Sequence, residues 1–94
     1  MTDAQILVSV KTNLGITSSA YDDALGEDVT AAKAFIAREG AGSFDPSASA
    51  EDARLTVMYA CYLWAQRKDP TAQMPRMLRW ALNNRIFSAG EGSA

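Results

Sequence analysis

The segment from about Ala50 to Lys68 (AEDARLTVMYACYLWAQRK) constrains the fold more than any other part of the chain, because it is apolar on opposite sides of one helix. At about 100° per residue, Leu55, Met58, Tyr59 and Tyr62 fall on one stripe. Val57, Cys61 and Trp64 fall on a second, almost half a turn away. A helix at a protein surface needs one apolar stripe, whereas a helix apolar all round is covered on several sides. Two arrangements satisfy this pattern: the helix is wrapped by its neighbours within one chain, or the second stripe meets another subunit. The segment has clear ends. Ser49 offers an N-cap with Asp52 in the first turn. Asp69-Pro70 stops it, since the residue before proline is pushed out of the α region.

The remaining periodicity is helical as well, with no strand-like alternation of useful length. Thr2 and Gln5 fit a capping box, and Ile6, Leu7, Val10 and Leu14 form the stripe that follows, up to Gly15. Ser18 or Ser19 is placed to cap a second helix, in which Tyr21, Leu25, Val29, Ala32 and Ile36 repeat every three to four residues before Gly40. Gly26 weakens that helix by about 1 kcal/mol relative to Ala, so fraying of its first turns is expected. Residues 40–49 (GAGSFDPSAS) have loop composition. Pro75 suits the first position of a fourth helix that ends near Arg85, with Met77, Leu78, Ala81 and Leu82 facing the core. The expected fold is therefore all-α: a small four-helix bundle forming one domain over residues 1–87, with a flexible C-terminal tail over 88–94.

Composition narrows the function classes. The 94 residues bury roughly 64 % of their surface by size scaling, which suffices for one modest core. Cys61 is the single cysteine, so no disulfide forms within the chain, and its apolar surroundings mark it as a small buried residue. The absence of His removes the side chain best suited to proton transfer near neutrality, and no phosphate-binding Gly-rich loop is present. These features point away from catalysis, cofactors and metal. The longest apolar run, Val57 to Ala65, is half of a membrane span, and the MTDAQ start lacks the pattern of a secretion signal. Synthesis in a cytoplasm and no membrane association are expected.

Charge is uneven. Residues 1–50 carry a net charge of −4 and residues 51–94 a net charge of +2. Asp22, Asp23, Glu27 and Asp28 cluster on the second helix, where they read as a solvated face. On the fourth helix, Arg76, Arg79, Trp80 and Asn83 lie across from the core stripe, with Phe87 on the same side if the helix continues. Trp and Arg are enriched at interface hot spots, so this face, together with Asn84 and Arg85 that follow it, is a candidate protein interface. Ile86 and Phe87 are expected to act as apolar anchors on the C-terminal segment, and Val57, Cys61 and Trp64 to pack partly against a neighbouring subunit.

The run from Arg54 to Phe87 (RLTVMYACYLWAQRKDPTAQMPRMLRWALNNRIF) resembles the head–tail connector proteins of long-tailed bacteriophages, also called head-completion, neck or adaptor proteins. The aromatic helix VMYACYLWAQRK carries part of the resemblance. The more specific part is MPRMLRWALNNRIF, with its proline start, its arginines and the paired Asn83-Asn84 before Arg85. Members often show a longer basic run after the aromatic helix, where this chain has only Arg67 and Lys68 before Asp69. The resemblance implies a structural virion protein at the head–tail junction, forming a ring of about a dozen copies under the portal. Its partners would be further copies of itself, the portal protein and the next neck or tail-completion component. DNA would pass through the channel without specific binding, helped by acids in the lumen that repel phosphate. The alternative is a small helical regulatory or DNA-binding protein acting as a dimer, with Arg76 and Arg79 on phosphates.

Overall fold

The computed structural model describes residues 1–92, with side-chain surroundings described through Phe87. It contains four helices: α1 (Asp3–Leu14), α2 (Asp22–Arg38), α3 (Ala50–Lys68) and α4 (Arg76–Gly92). The capping box of α1 forms as its sequence dictates: the Thr2 hydroxyl accepts from the Gln5 N–H at 3.2 Å, and the Gln5 side chain accepts from the Thr2 N–H at 2.8 Å. At the other end Gly15 takes φ 71°, which lets its N–H reach Thr12 and the N–H of Ile16 reach Lys11. This turn delivers the chain to α2.

α2 starts without a side-chain cap. The expected serine cap is replaced by a turn in which the Ser18 hydroxyl accepts from the Ala20 N–H and the Ser19 carbonyl accepts from the Asp22 N–H. Asp22 and Asp23 then sit in the first turn, where acids favour the positive end of the helix dipole. Gly26 lies inside the continuous helix, so tertiary packing overrides its low propensity and the expected fraying is absent from the fold. α3 has the expected Ser49 cap, whose hydroxyl accepts from the Asp52 N–H. The first turn of α4 closes on the Pro75 carbonyl, which accepts from Arg79. α4 continues to Gly92, beyond the expected end near Arg85. The tail expected over 88–94 falls on positions whose side chains, and for Ser93 and Ala94 the backbone too, lie outside the described residues.

α3 is the central element, with α1, α2 and α4 all packed on it. Its double-sided pattern follows from that position: Leu55, Val57, Tyr59, Ala60 and Trp64 are all buried, together with the small Ala53. α1 contributes Ile6 and Val10, α2 contributes Leu25, Val29, Ala32 and Ile36, and α4 contributes Leu78 and Leu82. Trp64 is covered within its own chain, where Tyr21 meets its ring edge-on at 5.5 Å between centroids and Lys68 lies over it at 5.5 Å. Val57 and Trp64 are 7 % and 8 % exposed, which corrects the expectation that they belong to a contact between subunits. Met77 is corrected in the opposite sense: it is 66 % exposed and does not share the core stripe of α4.

Two ion pairs with buried carboxylates join residues of different helices that are distant in sequence. Asp28, expected on a solvated face, is buried on α2 and receives Arg67 Nε from α3 at 3.1 Å on each oxygen. Asp52 is 2 % exposed and receives Arg85 Nε from α4 at 2.6 Å. Lys11–Asp22 and Lys33–Asp3 link α1 to α2 at 2.8 Å each, on more open ground.

Candidate functional site

α4 is amphipathic with an unusual outer side. Leu78 and Leu82 point into the core, while Arg76, Met77, Arg79, Trp80, Asn83, Asn84 and Phe87 are all exposed. Trp80 is 62 % and Phe87 66 % exposed, so two aromatic rings and a methionine stand in water on one helix. Apolar residues scattered singly on a surface are ordinary, but a contiguous group marks an interaction site. Between α4 and α3 runs a groove of about 360 Å³, walled by Met77, Trp80 and Asn84 on one side and Glu51, Arg54 and Met58 on the other, with Leu55 and Ala81 at its base.

The orientation of this face is fixed by Asp52 and Arg85. Asp52 Oδ1 accepts from Arg85 Nε, Oδ2 accepts from Arg85 Nη2 at 3.3 Å and from the Asp45 N–H at 2.9 Å. Arg85 Nη2 also donates to the Gly42 carbonyl at 2.8 Å. The guanidinium thus ties α4 to the start of α3 and to the loop between α2 and α3. The bonds from Asp52 raise the Arg85 pKa above its ordinary value, so the guanidinium stays charged. Arg85 is consequently a clamp within the chain, which corrects its expected place at the interface. Ile86 is partly buried against the core, and a Cβ placed on Gly40 would lie 3.9 Å from Ile86 Cγ2. Gly40 itself sits at φ 101°, a conformation that favours glycine. Phe87, the next residue, points away.

Of the expected interface residues, the structure therefore brings Arg76, Arg79, Trp80, Asn83 and Phe87 together on the outer face of α4, with Asn84 on the groove wall. Val57 and Cys61 line a separate cleft of about 280 Å³ with Leu14, Met58 and Leu78, at the junction of α1, α3 and α4. Cys61 is half-buried, and that burial pushes its thiol above the ordinary pKa, which disfavours the nucleophilic thiolate at neutral pH. Tyr59 is shifted upward chiefly by desolvation and secondarily by nearby Glu39; its ring stacks on Phe35 at 5.9 Å. Among the described residues, no group of three or more Cys, Asp or Glu side chains converges on a point where an ion would sit. No described helix is long and apolar enough to cross a membrane.

Sequence reasoning missed the α3 wall of the groove. Spacing alone gives no signal for it: Arg54 and Met58 stand four residues apart beside the buried Leu55, as residues on any helix face do, and only the fold brings α4 opposite them. No family model, curated protein or solved structure was found to match this chain.

Proposed function

We propose that this chain is a structural connector protein of a long-tailed bacteriophage, assembling as a ring under the portal at the head–tail junction. In that place it extends the DNA channel and docks the next neck or tail component. The observation that carries this reading is the exposed Trp80 and Phe87 beside Arg76 and Arg79, on a helix whose opposite side is locked into a complete core. A monomer gains nothing from keeping two aromatic rings in water, whereas an interface uses such residues as anchors. The motif MPRMLRWALNNRIF lies on this helix, so the part of the sequence that most resembles the connectors is also the part that presents the surface. Binding, not catalysis, is the activity this arrangement supports.

Native mass spectrometry with electron microscopy tests the reading, on the protein alone and after addition to portal-bearing capsids. The expected result is closed rings of uniform copy number, or capture by the portal vertex. A discrete dimer that ignores the portal and binds DNA with steep salt dependence would overturn it in favour of the regulatory alternative.

A further inference from the structure

The outer faces of α2 and α4 share a spacing. On α4, Arg76, Trp80, Asn83 and Phe87 are exposed at successive steps of four, three and four residues. On α2, Asp23, Glu27, Thr30 and Ala34 are exposed at the same steps. Residues four and three apart lie on one face of a helix, so each set forms a continuous exposed seam. The two seams are complementary in charge at their starts and in size at their ends, where Phe87 stands against Ala34. α4 begins with Arg76 and Arg79 and continues with large rings, while α2 begins with Asp23 and Glu27 and continues with small side chains.

We propose that α4 of one copy packs in parallel along α2 of the next copy, with Arg76 and Arg79 over Asp23 and Glu27 and with Phe87 over Ala34. This deepens the ring-forming reading and rests on it. Among the described residues, the ion pairs engage Lys11, Lys33, Arg67 and Arg85. Of the five cations without a carboxylate partner among them, Arg38 and Lys68 lie over the Phe35 and Trp64 rings, while Arg54, Arg76 and Arg79 have neither kind of contact. Asp23 likewise has no ion-pair partner among them, and Glu27, although 3.3 Å from Arg67, keeps a side chain that is 75 % exposed. The antiparallel alternative sets Arg76 against Ala34, one turn from Arg38, and Phe87 against Asp23, so the charges lose their partners. Because the two seams are different patches of one chain, the contact is heterologous. It passes from copy to copy and ends only by closing into a ring. The −4 half of one subunit thereby meets the +2 half of its neighbour.

Charge exchange tests this directly. R76E/R79E gives a chain with two acidic seams, and D23R/E27R gives one with two basic seams; Asp28 still holds Arg67 in the second. Circular dichroism melts confirm that both variants fold, as exposed substitutions should. At low salt, sedimentation of the wild type is expected to show assemblies larger than dimers, and each variant alone to lose association by about 100-fold or more. Mixing the two variants in equal amounts restores assembly, because every contact in an alternating ring again joins opposite charges. If either variant alone assembles like the wild type, or the mixture fails to recover, the contact is wrong while the ring-forming reading stands. If the wild type never associates beyond a dimer, the contact is overturned, and capture by portal-bearing capsids then decides the connector reading separately.

Discussion

Arg85 Nε lies 2.6 Å from Asp52 Oδ1, across 33 positions of sequence, and the two residues are 13 % and 2 % exposed at their side chains. Taking both charges out of water is costly, and the cost is offset by the bonds from Arg85 Nε and Nη2 to the two Asp52 oxygens. The Asp45 N–H and the Gly42 carbonyl complete the cluster. The pair therefore specifies one position of α4 on α3 and one path for the loop between α2 and α3.

Removing one member leaves the other buried and uncompensated. Arg85→Met should lower unfolding stability by about 3–5 kcal/mol, as should Asp52→Leu. The double variant Asp52→Leu/Arg85→Met should lose clearly less than the sum of the two, since no orphan charge remains. Urea titrations of the four proteins measure this coupling. Additive losses would mean that the ions act separately.

The two tryptophans should behave in opposite ways. Trp64 is 8 % exposed and held by Tyr21, so Trp64→Ala should cost about 3–5 kcal/mol in the isolated subunit. Trp80 is 62 % exposed, so Trp80→Ala should change subunit stability by no more than about 0.5 kcal/mol. In return it should weaken assembly, where buried aromatic anchors count most. Thermal melts and sedimentation on the same samples separate the two effects. A Trp80→Ala protein that melts far below the wild type would place that ring in the core.

This contrast also shows how much of the molecule was legible in the sequence. The four helices, the Thr2 box, the Gly15 turn and the Ser49 cap follow from local pattern, because capping and periodicity depend on residues a few positions apart. The covering of the second stripe of α3 did not follow. Val57 and Trp64 have the same composition whether a neighbouring helix or a neighbouring subunit covers them, and only the packing decides. The buried ion pairs were equally invisible: Asp28 looks like part of a solvated face and Asp52 like an ordinary helix-start acid until Arg67 and Arg85 arrive from 39 and 33 positions away. Of the candidate surface, the Arg and Trp residues of α4 were readable from their place opposite Leu78 and Leu82. The α3 wall of the groove was not, because its residues join those of α4 only in the folded chain.

Acid should destabilise the fold through two loop aspartates. Asp45 accepts from the Ser47 hydroxyl and N–H, and Asp69 accepts from the Thr71 hydroxyl and N–H. These bonds favour the charged carboxylates and lower both pKa values below the ordinary 3.8. A carboxylate whose folded pKa is depressed contributes stability that is fully present above the unfolded value and is lost as pH falls through the folded value. The melting temperature should therefore decline as pH drops below about 4, and Asp45→Asn with Asp69→Asn should flatten part of that decline. Both residues are open to solvent, so the slope should be shallow. Melting curves from pH 6 down to pH 2.5 check it.

Ile86 and Phe87 are neighbours in the chain and opposites in the fold. Ile86 packs partly buried against the core near Gly40, and Phe87 is 66 % exposed. Successive residues on a helix point about 100° apart, so one turns inward beside Leu82 while the other joins Trp80 and Asn83 on the outer face. Ile86→Ala should lower subunit stability by about 1–2 kcal/mol, less than a fully buried isoleucine because the site is only partly enclosed. Phe87→Ala should leave the melt within about 0.5 kcal/mol of the wild type. Assembly should respond in the reverse order, with Phe87→Ala the more damaging at matched concentration. Denaturant titration and sedimentation of the two single variants make the comparison. If Phe87→Ala unfolds the subunit, its ring folds back on the core; if it leaves assembly unchanged, the contact surface of α4 stops short of it.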